Sequence, residues 1–348
     1  MGEIGESSSD PPFEEAYKKL FDEFNYAPRL SSEVDEVIAV DERELPLIDL
    51  EELSRGEMER EECKNKIARA SQEWGFFQVV NHGISREILE TMRKEEVKLF
   101  KRPFKEKAMA DKEFNFSEGS YRWGSPSASR VRELSWSEAF HVQLSDIYAD
   151  ADSPAAAHLS SIMRQVAISL YELGQKLAAI LAEKVGHSPT YFQETCLLTH
   201  SYIRMNRYPP RPISFHSLGL MPHTDSDFLT ILHQDDVPGL QLVKHGKWVS
   251  VKPNPDALVI NIGDLFEAWS NGIYRSVEHR VVTNSTRERF STAFFLCPSY
   301  DTVISSSFEP CLYRRFTFRE FKEQVREDVK KFGHKVGLSR FLVVTDHS

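Results

Sequence analysis

At 348 residues the chain has room for one large core or two modest domains. Its 41% hydrophobic and 28% charged content is that of a soluble globular protein, and a formal charge of −10 argues against a nucleic-acid partner, whose phosphates call for clustered Lys and Arg. Four scattered cysteines (Cys63, Cys196, Cys297, Cys311) form no CxxC pair, and neither a signal peptide nor a membrane-length apolar run is visible. The expected setting is a reducing one, cytoplasmic or also nuclear, with no membrane partner.

In chain order, residues 1–12 are polar and Ser/Pro-rich and are expected to be a disordered tail. An amphipathic helix is expected around 13–25, a strand at LPLIDL (45–50), and a charged helix over 57–73 with Cys63, Ile67 and Ala70 on its apolar face. WGFFQVVNHGI (74–84) reads as a strand with a turn at Asn81-His82-Gly83, followed by a helix to about 101 that stops near Pro103. Residues 111–135 read as an aromatic loop carrying Phe116, Tyr121 and Trp123. The longest helix is expected over 156–186; its stripe from Leu159 to Leu181 is a core face rather than a cofactor box. A short helix (188–197) leads to the strand HSYIRMNRY (200–208), closed by Pro209-Pro210. Short strands then run to about 304, interrupted by GDLFEAWSNG (263–272), and a helix covers 316–332.

The chemistry concentrates between His223 and Ser291. His223 and Asp225 are two apart, so on an extended strand both face one side. His279 follows after strand-like runs FLTIL, LQLV, WVSV and LVINI, which could fold it back beside the pair. Two histidines and a carboxylate can hold a divalent metal on one face and leave other positions open. Arg289 and Ser291 are again two apart, entering an apolar run, and a buried guanidinium needs an anionic partner that its fork suits. HxD alone occurs by chance, but the five residues together do not read as coincidence. Asp227 is a rival carboxylate with a poorer reach, read as supporting or structural; Arg287 and Arg280 are rivals to Arg289. A zinc hydrolase would also use three protein ligands, but it explains neither the Arg-x-Ser pair nor the lack of an evident general base. A non-catalytic cupin-like binding protein would have no need of open coordination positions.

HxD, a distant His and RxS together resemble the plant iron(II)- and 2-oxoglutarate-dependent dioxygenases. The resemblance implies iron at His223, Asp225 and His279, and a clamp of Arg289 and Ser291 on the distal carboxylate of 2-oxoglutarate, supported by Tyr208, with Asn206 near its metal-binding end. It implies dioxygen as co-reactant, succinate and carbon dioxide as products, and ascorbate as the reductant in vitro; no side-chain acid or base is nominated. The implied fold is mixed α/β with a mainly β core, a double-stranded β-helix (jelly roll, cupin-like) flanked by N- and C-terminal helices. The chain then divides into a tail (1–12), an N-terminal region packing on the core (13–198), a catalytic roll (199–304) and a C-terminal helical segment (305–348). SYRWGSPSA, LSWSEAFHV, RMNRYPP, LMPHTDSDFLTILHQD and YRSVEHRVVTN are most similar to gibberellin 2-oxidases of the class acting on twenty-carbon gibberellins. That likeness implies 2β-hydroxylation of a hormone precursor, with gibberellin 20- or 3-oxidases or another plant metabolite dioxygenase as alternatives. Tyr121 and Arg122 are candidate substrate contacts, as are Phe294 and Phe295 at the site end of their strand, while RPISFHSLG (211–219) departs from the pattern.

Overall fold

The computed structural model describes residues 8–26, 40–108, 120–125, 128, 130, 133–147, 154–211 and 218–343. Its strands, in chain order, are β1 (Glu42–Arg43), β2 (Leu47–Asp49), β3 (Phe76–Val80), β4 (Tyr121–Trp123), β5 (Glu138–Gln143), β6 (Tyr202–Tyr208), β7 (Leu218–His223), β8 (Leu229–Gln234), β9 (Leu240–Lys244), β10 (Lys247–Val251), β11 (Leu258–Ile262), β12 (His279–Val282), β13 (Arg289–Leu296), β14 (Val303–Ile304) and β15 (Phe316–Thr317). A major sheet runs β2-β3-β11-β8-β13-β6-β5-β4 and a minor sheet β1-β10-β9-β12-β7. The two pack as a jelly-roll double-stranded β-helix, with Phe76, Leu240, Leu242, Val249, Val251 and Val259 filling the space between them.

Helices that precede β6 in the chain cover the outer face of the major sheet. The long helix Pro154–Lys184 opens with proline, whose missing amide costs nothing in a first turn. It lays Leu170, Leu173 and Leu177 into the same core as Ile231, Phe294 and Leu296. The C-terminal helix Phe318–Phe332 is capped at both ends: Thr317 accepts from the Glu320 amide, and Gly333, at φ +79°, sends its amide to the Val329 carbonyl.

Strand parity sorts the side chains. On β13, Arg289, Ser291, Ala293 and Phe295 face the interior of the roll, whereas Phe290 and Phe294 face the helices. Phe294 is therefore a core residue, against the expectation that it lines a substrate pocket. Two further expectations change. Residues 8–12 are docked rather than disordered: Ser8 accepts from the Phe104 amide, Ser9 from Lys107 Nζ, and Asp10 pairs with Arg207 at 2.7 Å. Residues 1–7 and Phe116 lie outside the described residues. Tyr121–Trp123, expected in a loop, is an edge strand because β5 supplies a partner 17 residues away in sequence, a pairing that local pattern does not reveal. Its Tyr121 hydroxyl donates to Glu138 at 2.5 Å, and this fully buried carboxylate also receives Lys107 at 2.6 Å and Arg207 at 2.7 Å. Tyr121 thus belongs to a buried charge network behind the sheet.

Phe294→Ala should cost about 3–5 kcal/mol of unfolding free energy by urea denaturation. Any active fraction should keep its wild-type preference among substrates; an unchanged unfolding midpoint would contradict the outward placement.

Candidate active site

Adjacent strands bring the two histidines together. β12 runs antiparallel to β7 with His279 directly opposite His223, and their ring centroids lie 4.3 Å apart. Asp225 does not share a strand with His223, as the spacing suggested: β7 ends at His223, and Asp225 sits in the turn beyond it. That turn is nested against the helix Asp264–Trp269. The amides of Gly263, Asp264 and Leu265 donate to the carbonyls of Phe228, Asp225 and Asp227. The approach requires glycine, since a Cβ at Gly263 would stand 2.1 Å from the Asp227 carbonyl oxygen. Lys335, from the C-terminal segment, holds the turn, donating to the Thr224 carbonyl and Ser226 hydroxyl and pairing with Asp264 at 2.6 Å.

The donor atoms are oriented by partners that leave one position open on each. Nδ1 of His223 lies 2.8 Å from the Met221 carbonyl and Nδ1 of His279 3.0 Å from that of Val277. A carbonyl only accepts, so Nδ1 of each ring carries a proton and Nε2 is the nitrogen left to face the other two residues. Asp225 Oδ2 accepts from Thr230 at 2.6 Å and Asn261 at 2.7 Å, which turns Oδ1 toward the histidines, 3.6 Å from His223 Nε2 and 3.8 Å from His279 Nε2. All three donor atoms lie within 4.8 Å of one another, the one such His/Cys/Asp/Glu cluster among the described residues. Burial pushes His279 down to about 4, leaving it neutral. Burial would raise Asp225, but the neighbouring imidazoles and the Thr230 hydroxyl hold it well below the usual carboxylate range. Two imidazoles and one carboxylate whose donor atoms converge on one point fit a divalent cation. Asp227 faces away, accepting from Tyr202 and Cys297.

The triad opens into a cavity of about 420 Å³ inside the roll. At one end Arg289, 1% exposed, donates to Gln234 at 2.7 Å and Ser291 at 3.4 Å and lies 5.2 Å from the Tyr208 ring centroid. Its Nε and the Gln234 amide nitrogen have no protein partner. This is a buried cation with donors to spare, suited to a carboxylate. Glycines shape the cradle: a Cβ at Gly219 would strike the Tyr208 ring at 2.4 Å. Asn206 also lines the cavity, donating to the Ser291 carbonyl and accepting from Arg204. Of the rival arginines, Arg287 is exposed on Asp236 and Arg280 lies over Trp248.

Residues 199–298 match the 2OG-Fe(II) oxygenase superfamily, and residues 45–161 match the N-terminal region described as non-haem dioxygenase in morphine synthesis. Gibberellin 2-beta-dioxygenase 8 of Arabidopsis thaliana is 56% identical over 341 residues, covering 96% of this chain and 98% of that protein. The chain belongs to the 2OG-Fe(II) oxygenase superfamily. It is thus a dioxygenase using ferrous iron and 2-oxoglutarate. Gibberellin 2-beta-dioxygenase 6 of Oryza sativa subsp. japonica is 46% identical over 98% of both chains. The crystal structure of JOX2 in complex with 2OG, Fe and JA superposes with TM-score 0.70 at 29% identity, covering 92% of this chain and 97% of that one.

The far end of the dioxygenase cavity holds residues that sequence reasoning missed: His141, Tyr202, Arg204, Lys322, Val325 and Val329. Parity was the available signal for two of them, because Tyr202 and Arg204 share the inward face of β6 with Asn206 and Tyr208. Of the nominated substrate contacts, Arg122 and Phe295 line this cavity, while Tyr121 and Phe294 point out of the roll. Phe295 stacks on Tyr202 at 4.4 Å.

Thr230→Val removes one of the two bonds orienting Asp225 and should weaken Mn(II) binding about tenfold, as the loss of a hydrogen bond that aims a metal ligand commonly does. Calorimetric titration of the metal-free protein measures this; unchanged affinity would mean that Asn261 alone orients the carboxylate.

Proposed function

We propose that this dioxygenase hydroxylates gibberellins at the 2β position, with twenty-carbon precursors preferred, and so withdraws them from the active hormone pathway. The observation that carries the reading is the shape of one cavity. It has a metal-competent triad at its side, a buried Arg289–Ser291 cradle at one end, and a mixed apolar and cationic chamber at the other, in a chain 56% identical to a gibberellin 2-beta-dioxygenase.

In this reading His223, Asp225 and His279 hold iron(II), while Arg289, Ser291 and Tyr208 bind the distal carboxylate of 2-oxoglutarate, with Asn206 beside its other end. Bound iron with 2-oxoglutarate and dioxygen supplies the oxidising power for hydroxylating an unactivated carbon. The remaining residues bind and orient the acceptor. Phe295, Val325 and Val329 offer an apolar wall for a ring system. Arg204 and Arg122 offer positive charge for its carboxylate. Among the described residues no carboxylate pairs with Arg204, whose Nε is bonded to the neutral Asn206 side chain. Burial holds His141 down to about 3, so it is a neutral lining group. Among the described residues no helix is long and apolar enough to cross a membrane. All four cysteines are free, which supports a reducing cytoplasmic or nuclear setting.

The test is turnover of a gibberellin panel by purified protein with iron(II), ascorbate and 2-oxoglutarate, read by mass spectrometry. The expected result is a 2β-hydroxylated product of a twenty-carbon gibberellin with matching succinate. Oxidation at carbon 20 or 3, or turnover of a flavonoid in place of gibberellins, would move the chain to another branch. Arg289→Ala should raise KM for 2-oxoglutarate by about tenfold or more through loss of a charge-assisted contact, with KM for the gibberellin little changed. Equal effects on both would count against its role.

A further inference from the structure

Arg289 and Ser291 are separated by one residue, Phe290, whose two peptide groups set how the neighbouring side chains enter the cavity. On one side the Phe290 backbone is held by β6, in register with Arg207. On the other side β8 ends at Gln234, opposite Ser291, so the regular ladder stops where Phe290 needs a partner. Asp235 and the Arg93 side chain continue it. The Phe290 amide donates to Asp235 Oδ2 at 2.5 Å, and its carbonyl accepts from the Asp235 amide at 3.3 Å and from Arg93 at 3.0 Å.

Arg93 comes from the helix Arg86–Phe100, on the outer face of the major sheet, away from the cavity. The nitrogen that donates to Phe290 is also 3.3 Å from Asp235 Oδ2, and Nε pairs at 3.1 Å with Glu96, a fully buried carboxylate on the same helix. Burial pushes Glu96 up to about 7, so it offsets the charge of Arg93 only in part. The additional reach to Phe290 and Asp235 ties the helix to the one residue between the two groups that grip the cosubstrate.

We propose that Arg93, acting through Asp235 and the Phe290 backbone, is a positioning residue for 2-oxoglutarate binding; this rests on the reading of Arg289 and Ser291 as the carboxylate clamp. With Arg93 in place the start of β13 has one orientation, and the guanidinium and hydroxyl converge. Without it this end is held by β6 and Asp235 alone, and a dicarboxylate that needs both groups loses affinity. The acceptor, at the other end of the cavity, touches neither group, so its binding is spared.

The experiment is calorimetric titration of 2-oxoglutarate into Mn(II)-loaded wild type, Arg93→Ala, Arg93→Lys and Arg289→Ala, together with KM for 2-oxoglutarate and for the gibberellin. Arg93→Ala should weaken 2-oxoglutarate binding about tenfold, the scale of a lost charge-assisted hydrogen bond, and leave KM for the gibberellin within about twofold; Arg93→Lys, which can still reach one acceptor, should recover part of the loss. Should Arg93→Ala fail to fold, Asp235→Asn, which keeps an acceptor for the Phe290 amide but drops the charge facing Arg93, should show the same selective loss at smaller size. Wild-type affinity in the folded Arg93→Ala protein, or in Asp235→Asn if it alone folds, overturns the proposal, as does equal weakening toward both ligands. If Arg289→Ala also binds 2-oxoglutarate normally, the clamp reading itself has failed; if only Arg289→Ala loses affinity, the clamp stands and the positioning role falls.

Discussion

The site depends on keeping one ionised carboxylate out of water. Asp225 is almost fully buried, and burial by itself would drive it toward the protonated form, a cost of several kcal/mol for an isolated charge. Two donors on one oxygen work against that cost, and a cation shared by the other oxygen and the two imidazoles would complete the compensation. Much of the surrounding structure serves this arrangement. Gly263 lets the turn and the helix Asp264–Trp269 approach each other, Lys335 clips the turn from the C-terminal segment, and the β12–β7 register delivers His279. The C-terminal segment, far from the motif in sequence, therefore completes the site.

The roll also separates two kinds of work across one sheet. Inward residues of β6, β8 and β13 build the cavity; outward residues of the same strands build the main core against the helices. A single register therefore fixes stability and chemistry together, because a one-residue slip would exchange Arg289 and Ser291 for Phe290 and Thr292. Charged groups on the outer face reinforce it. Glu138, Lys107 and Arg207 bind the N-terminal segment to β5 and β6, and Arg93 and Asp235 hold the start of β13.

Much of this was legible in the sequence because periodicity and motif pointed the same way. The helices at 57–73 and 316–332, the strands from 200 to 296 and the inward pair Arg289 and Ser291 follow from spacing, whereas the triad was legible as a motif, its Asp225 lying in a turn and not on the strand that the spacing suggested. What was not legible depended on distant partners. Tyr121–Trp123 is a strand only because Glu138–Gln143 lies beside it, and residues 8–10 dock because Phe104, Lys107 and Arg207 supply their partners. Phe294 was a parity error: an odd/even count from Arg289 puts it on the helix side. The same count, carried back along β6 from Asn206, reaches Arg204 and Tyr202, which composition alone presents as ordinary strand residues.

The central claim is spatial, and anomalous diffraction from crystals grown anaerobically with Mn(II) and 2-oxoglutarate tests it most directly. The account predicts one strong metal peak bonded to His223 Nε2, His279 Nε2 and Asp225 Oδ1, with the far carboxylate of the dicarboxylate on Arg289 and Ser291. A metal peak away from that triad, or a dicarboxylate whose far end leaves Arg289 unengaged, would contradict it.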